Sequence, residues 1–128
     1  MIKTHIDSSV NIISKEHQEI RVLVHPLWHG NVRQSIALAT LYAGHSSRRH
    51  QHLTSEETYH FIAGTGYITL GEKTEPVGPG DTVVVLPGTW HQIEADVNQP
   101  LQFYSCCAPA YMPEDTAIAP ESIASEDD

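Results

Sequence analysis

The sequence predicts an all-β protein with little helix, folded either as a barrel or as a sandwich. Short segments rich in β-branched and apolar residues alternate with turns, which eight glycines and eight prolines mark. Forty per cent of the 128 residues are hydrophobic, which is enough for a single domain to bury a core. No long segment repeats apolar residues with the period of an amphipathic helix.

The first predicted strands are apolar runs that end at turn residues. Residues 1–19 are polar and irregular, and they form an N-terminal arm with room for one short strand. Residues 20–27 predict a strand that stops at Pro26, and a turn around Gly30 follows it. Residues 34–43 show little alternation of apolar and polar side chains, which is typical of a strand buried on both faces.

The second half of the chain continues this pattern and then changes in composition. Further strands are predicted between turns, at residues 67–70, 82–86, 90–95 and 101–108. Beyond Pro109 the chain is dominated by Pro, Glu, Asp, Ser and Ala. The sequence thus predicts the arm, a barrel domain over residues 20–111 and an acidic tail over residues 112–128. This tail is expected to be loose or packed on a partner subunit.

Charge and cysteine content restrict the class of protein. The formal net charge is −9, so the chain lacks the clustered Lys and Arg that nucleic-acid binding requires. No run of about 18 apolar residues is present to span a membrane, and residues 1–14 lack the apolar stretch of a secretory signal. Cys106 and Cys107 are neighbours, which rarely form a disulfide with each other, so a reduced, cytoplasmic protein is expected.

The segment over residues 44–66 carries the main chemical signal. Side chains two positions apart on a strand point to the same face, so His50 and His52 project together. The four residues that follow are enough for a turn, which returns Glu57 to the same side. A second segment supplies His91 on another predicted strand. Two imidazoles and a carboxylate that converge on one point make a site for a divalent transition metal.

Both segments resemble the two motifs that characterise the cupin family. The first motif is matched at every named position, by Gly44, His50, His52, Glu57 and Gly64. The second motif is matched by Gly80, Gly88 and His91. It departs from the family at Leu86 and Ala95, which stand where cupins have Pro and Asn and which are not metal ligands. The resemblance covers residues 34–108 and implies a double-stranded β-helix, the jelly-roll or cupin barrel.

The resemblance also implies a metal centre. One divalent ion is expected to bind three imidazoles and one carboxylate, those of His50, His52, Glu57 and His91. Such donors suit Fe, Mn, Zn, Ni, Co or Cu, and the sequence does not choose among these ions. A six-coordinate ion with four protein ligands keeps about two positions open for water and for a substrate or oxygen.

Four further residues are candidates for the chemistry around the ion. Tyr59 shares a strand face with the carboxylate ligand and is the candidate catalytic residue, with a packed core tyrosine as the alternative. Arg48 lies two positions before the first histidine ligand and is a candidate for binding a substrate carboxylate or phosphate. A solvated loop arginine is the alternative. Phe61 and Ile93 are predicted to line the substrate pocket.

Two classes of function therefore compete. The first is a metal-dependent enzyme of the dioxygenase, isomerase or lyase type that acts on a small organic molecule. The second is a binding module that holds a metal or a small ligand without turnover. A structural role of the kind found in seed-storage cupins requires no complete ligand set and fits the residues less well. A homodimer is expected in either case, because pairing covers the free edge of a sheet.

Overall fold

Within residues 1–14 and 17–120, which the computed structural model describes, the chain is built from short strands and turns. The strands in chain order are β1 Val10–Ser14, β2 Gln18–Val24, β3 Ser35–Leu41, β4 His50–His52, β5 Glu56–Ala63, β6 Gly66–Leu70, β7 Lys73–Val77, β8 Thr82–Val85, β9 His91–Ala95, β10 Leu101–Ala108 and β11 Thr116–Ile118. The helical elements are α1 Pro26–His29 and two 3-10 turns, Ile6–Ser8 and Pro113–Asp115. The predicted all-β class with little helix is confirmed.

The strands form two antiparallel sheets. One sheet has the order β1-β2-β3-β10-β5-β8, and the other has the order β11-β4-β9-β6-β7. Among the described strands no ladder joins the two sheets, so the expectation of a closed barrel was wrong. The fold is a jelly roll of two separate sheets, because the outermost strands of each sheet remain edges. None of the helices in these segments has the length and apolar character needed to span a bilayer.

A short helix follows β2 where the sequence predicted only a turn. Pro26 occupies its first turn, where the missing N–H removes no helical hydrogen bond. The His25 side chain accepts a hydrogen bond from the backbone N–H of Leu27, and Gly30 ends the helix with a φ of 77°. The proline that stops the strand thus also begins the helix.

Strand β7 is absent from the predicted strands because its residues give little strand signal. The four residues before Val77 are exposed, and one of them is Pro76. Proline removes a ladder donor and is therefore tolerated mainly at sheet edges. Strand β7 is the outermost strand of the second sheet, so it can contain a proline and exposed residues.

The hydrophobic core draws side chains from both sheets. Phe61 and Leu101 of one sheet and Ile93 of the other are at most 2% exposed. The Phe103 ring lies 5.4 Å from that of Tyr59 and 5.3 Å from that of Phe61, measured between centroids. Buried and exposed residues alternate along β5, so every second side chain points into the core. Because of this alternation, Glu57 lies on the same inner face of β5 as the core residues Tyr59 and Phe61.

Residues 109–119, here named the C-terminal strap, pack against strand β4. Strand β11 pairs with β4 so that Thr116 stands opposite His52 and Ile118 opposite His50. The sequence predicted a tail from residue 112 that was loose or packed on a partner. Instead, a 3-10 turn over Pro113–Asp115 leads into β11, which adds an edge strand to its own chain, while residues 121–128 lie outside the described residues.

Asp115 fixes the strap to the turn between β4 and β5. Its carboxylate accepts hydrogen bonds from the backbone N–H groups of Thr54 and Ser55 and from the Thr54 hydroxyl.

Replacing Asp115 with alanine is expected to lower the free energy of unfolding by about 1–2 kcal/mol, as loss of a cap does. Urea denaturation measures this change. The Glu114→Ala variant at the exposed neighbouring position is the control, and an equal loss in both variants contradicts the assignment.

Candidate metal centre

Strands β4, β5 and β9 bring together the side chains that the sequence predicted as ligands. His50 and His52 lie on β4, Glu57 on β5 and His91 at the start of β9. One donor atom from each of the four lies within 4.8 Å of the others. The ladder between β4 and β9 sets His50 directly opposite His91, and Glu57 reaches them from the other sheet. The cluster therefore sits where the two sheets face each other.

The Glu57 carboxylate lies at the centre of this cluster. Its Oε1 atom is 3.0 Å from His52 Nε2, 3.0 Å from His91 Nε2 and 3.9 Å from His50 Nε2. The His50 side chain is 19% exposed, whereas the other three are 8% or less. Solvent therefore reaches the centre from the His50 side.

The outer nitrogens of two imidazoles are held by backbone carbonyls. His50 Nδ1 lies 2.8 Å from the Arg48 carbonyl oxygen, and His91 Nδ1 lies 2.9 Å from that of Thr89. A carbonyl oxygen can only accept, so both Nδ1 atoms carry the proton and donate it. In a neutral imidazole the Nε2 atom then offers a lone pair, which is the form that binds a metal ion.

This arrangement fits a cation at the centre. With its proton on Nδ1, a neutral His91 turns a lone pair towards Glu57 Oε1 at 3.0 Å, and two acceptors at that distance repel each other. Either a metal ion or a second proton on the ring removes the repulsion. Burial, together with the nearby His91, lowers the pKa of His50 to about 4, so His50 is neutral at pH 7 and its Nε2 lone pair is available.

Glu57 is held as a carboxylate with both oxygens occupied. Burial by itself raises its pKa, but its contacts with the His52 and His91 rings and with the Ser105 hydroxyl outweigh burial and bring the pKa well below its usual range. The Ser105 hydroxyl donates to Oε2, and the Tyr59 hydroxyl donates to Oε1 over 2.7 Å. The carboxylate is therefore charged at neutral pH and fixed in orientation.

The four residues predicted to surround the ion differ in their placement. Tyr59 is buried, and burial together with the Glu57 charge raises its pKa well above the usual range. Phe61 and Ile93 belong to the buried core cluster. Arg48 is half-buried, and its backbone carbonyl orients the first histidine of the cluster. Their substrate and catalytic roles remain predictions.

Three residues around the cluster were not predicted from the sequence. Ser105 lies on β10 next to Glu57, and strand alternation with Phe103 would have placed it on the inner face. Tyr111 stacks edge-on against His52 with ring centroids 5.9 Å apart, and Thr116 Oγ1 lies 3.0 Å from His52 Nδ1. The last two belong to the strap, where composition gave no signal for them.

A two-sheet jelly roll with three imidazoles and one carboxylate between its sheets defines a class of small all-β proteins with a candidate metal centre. The chain belongs to the cupin family. Residues 37–107, more than half of its length, match the family model for the cupin domain. The resemblance found in the two sequence motifs is thus confirmed.

Similar proteins extend the family relation over nearly the whole chain. The uncharacterized protein MJ1618 of Methanocaldococcus jannaschii is 40% identical over 118 residues, covering 92% of this chain and 94% of that protein. A structure of Streptomyces Pac13 with uridine has a TM-score of 0.77 at 20% identity, covering 97% and 95% of the two chains. The polyketide cyclase RemF of Streptomyces resistomycificus has a TM-score of 0.78 at 20% identity, covering 98% and 89%. These two structures show the shared fold.

Proposed function

We propose that the protein is a metal-dependent enzyme that acts on a small organic molecule. His50, His52, Glu57 and His91 hold one divalent transition-metal ion in this proposal. The observation that carries it is the set of inward-facing Nε2 atoms around a charged, buried carboxylate. Three nitrogens and one oxygen form a donor set that such ions favour.

The residues around the ion have separate roles in this proposal. An ion held by these four residues would act as a Lewis acid, the chemistry that polarises a carbonyl or stabilises an enolate. Glu57 remains a ligand and not a general base, because Ser105 and Tyr59 occupy its oxygens. Tyr59 acts through Glu57, since its hydroxyl already donates to that carboxylate. Arg48 lies beside His50, the most exposed ligand, and binds an anionic group of the substrate.

Reactions of the lyase or isomerase type fit this arrangement best. Pac13 is described as a nucleoside dehydratase and RemF as a polyketide cyclase, and both share this fold. Their descriptions support chemistry at oxygen-bearing carbon atoms without a net change of oxidation state. A reaction of the dioxygenase type follows instead if the resident ion is iron or copper.

Loading the protein with single ions tests the proposal. Protein containing Fe(II), Mn(II) or Zn(II) is mixed anaerobically with nucleosides, sugar phosphates, β-diketones, catechols and thiols, and air is then admitted. The expected result is that product forms in the anaerobic mixture and that admitting air causes no oxygen uptake. The Glu57→Gln variant is expected to form no product. Oxygen uptake with product identifies the dioxygenase type.

A binding module without turnover is the second candidate. The low exposure of Glu57, His52 and His91 favours it, because a nearly enclosed ion leaves little room for a substrate. Tight, reversible binding of one compound, with no product from any compound of the panel, supports this function. Turnover of any compound, lost in the Glu57→Gln variant, excludes it.

We also propose a cytoplasmic homodimer. The two cysteines are free thiols, which supports a reducing compartment. Strand β8 is an edge of its sheet, where Val84 is 50% exposed, and Leu86, which directly follows the strand, is 61% exposed. Light scattering after size exclusion is expected to give twice the mass of one chain. Val84→Lys is expected to give the monomer mass and Val97→Lys, at an exposed loop position, the dimer mass. A monomeric wild type contradicts the homodimer.

A further inference from the structure

We propose that Thr116 is a positioning residue that selects the metal-binding tautomer of His52. The inference rests on the proposed metal centre and goes beyond it, because Thr116 lies outside residues 37–107, which carry the family match. Thr116 begins β11 and stands opposite His52 in the ladder between β11 and β4. The strap is thereby a part of the metal centre and not an appended tail.

The Thr116 hydroxyl contacts His52 and Met112, and the Tyr111 side chain is a third hydrogen-bonding neighbour. Its oxygen is 3.0 Å from His52 Nδ1 and 3.1 Å from the Met112 carbonyl oxygen. A hydroxyl has one proton to donate, whereas a carbonyl oxygen can only accept. The bond to Met112 therefore uses the hydroxyl proton. A lone pair of the same oxygen is left to accept a hydrogen bond from His52 Nδ1.

The direction of this bond decides what His52 offers to the centre. With the proton on Nδ1, a neutral His52 turns the Nε2 lone pair towards the centre, where an ion can bind. If the hydroxyl instead donated to Nδ1, the proton would sit on Nε2. It would then bond to Glu57 Oε1, which is 3.0 Å away, and would occupy the position of the ion. The hydrogen bond to Met112 disfavours this second arrangement, because the Thr116 hydroxyl has only one proton to donate.

Among the three histidines, this choice exists only for His52. The Nδ1 atoms of His50 and His91 face backbone carbonyls, which accept and cannot donate. The Nδ1 atom of His52 faces a hydroxyl, which can do either. The His52 side chain is 3% exposed, so solvent does not replace the hydroxyl. The tautomer of His52 therefore depends on one side chain of the strap.

Thr116→Val removes the hydroxyl and keeps the shape of the side chain. In metal-free protein, nitrogen NMR of the imidazoles is expected to show the proton of His52 on Nδ1 in the wild type and on Nε2 in this variant. Zinc affinity, measured by competition with a chromophoric chelator, is expected to fall about 10–100-fold, as for other residues that orient a ligand. Thr116→Ser restores both properties.

Thr54→Val is the matched control, because the Thr54 hydroxyl bonds to Asp115 of the strap and leaves the partners of His52 intact. It is expected to keep the wild-type nitrogen spectrum and zinc affinity. A wild-type spectrum with the proton on His52 Nε2 overturns the inference, whether or not the valine variant folds. Unchanged zinc affinity in Thr116→Val also overturns it. A wild type that binds no zinc contradicts the proposed function instead, and the nitrogen spectra still decide the role of Thr116.

Discussion

Replacing Glu57 with glutamine is expected to weaken the binding of a divalent ion by at least about 100-fold, more than loss of an orienting residue does. Glutamine has the same shape but no charge, and Glu57 is the only carboxylate among the four clustered donors. Its amide group would also place a donor where the ion requires an acceptor. Elemental analysis of purified protein and chelator competition measure the change.

Glu56→Gln is the matched control for this prediction. Glu56 is the preceding residue, but it is exposed, and its substitution removes the same unit of charge. This variant is expected to retain wild-type metal content. Stoichiometric metal in Glu57→Gln would mean that the ion binds elsewhere, and equal loss in both variants would indicate a nonspecific effect of net charge.

Replacing Gly64 with alanine is expected to lower the free energy of unfolding by about 3–4 kcal/mol, among the larger effects of single substitutions. Gly64 has a φ of 79°, and an added Cβ would lie 2.0 Å from the Pro100 carbonyl oxygen and 3.2 Å from Leu101 Cα. These are backbone atoms, so the neighbouring loop must move. Urea denaturation measures the loss. The close approach also explains why the first motif ends in glycine.

Gly71→Ala separates this clash from backbone strain. Gly71 has a φ of 61°, but an added Cβ meets no atom within 4 Å. Only the left-handed conformation penalises alanine there, by about 1–2 kcal/mol. A loss in Gly64→Ala no greater than that in Gly71→Ala would show that the contact with Pro100 does not restrict position 64.

The fold class followed from residue patterns that are strong at the centre of each sheet. Strand β10 occupies the predicted residues 101–108, and β3 lies within the predicted residues 34–43. Edge elements gave weaker patterns, because an edge strand need not be apolar on either face. Exposed residues dominate β7, and β11 has only three residues. Whether the two sheets join into a closed barrel depends on pairing between strands that are distant in the sequence, and the period of the apolar residues carries no information about that pairing.

The metal cluster was predictable because strand alternation is a local property. His50 and His52 share a face by spacing alone, and the family motif added His91 from a distant strand. The partners of these ligands were not predictable. Thr116 belongs to a polar segment that resembles a tail, and its contact with His52 exists only because β11 folds back onto β4.

Anomalous scattering at metal absorption edges is the most direct test of the proposed centre. Crystals of the protein as purified, or grown with excess zinc, are expected to give one peak between the sheets. It should lie about 2.0–2.2 Å from the Nε2 atoms of His50, His52 and His91 and from a Glu57 oxygen, as in known zinc sites. Metal-loaded crystals whose only peaks lie away from these four side chains would contradict the account.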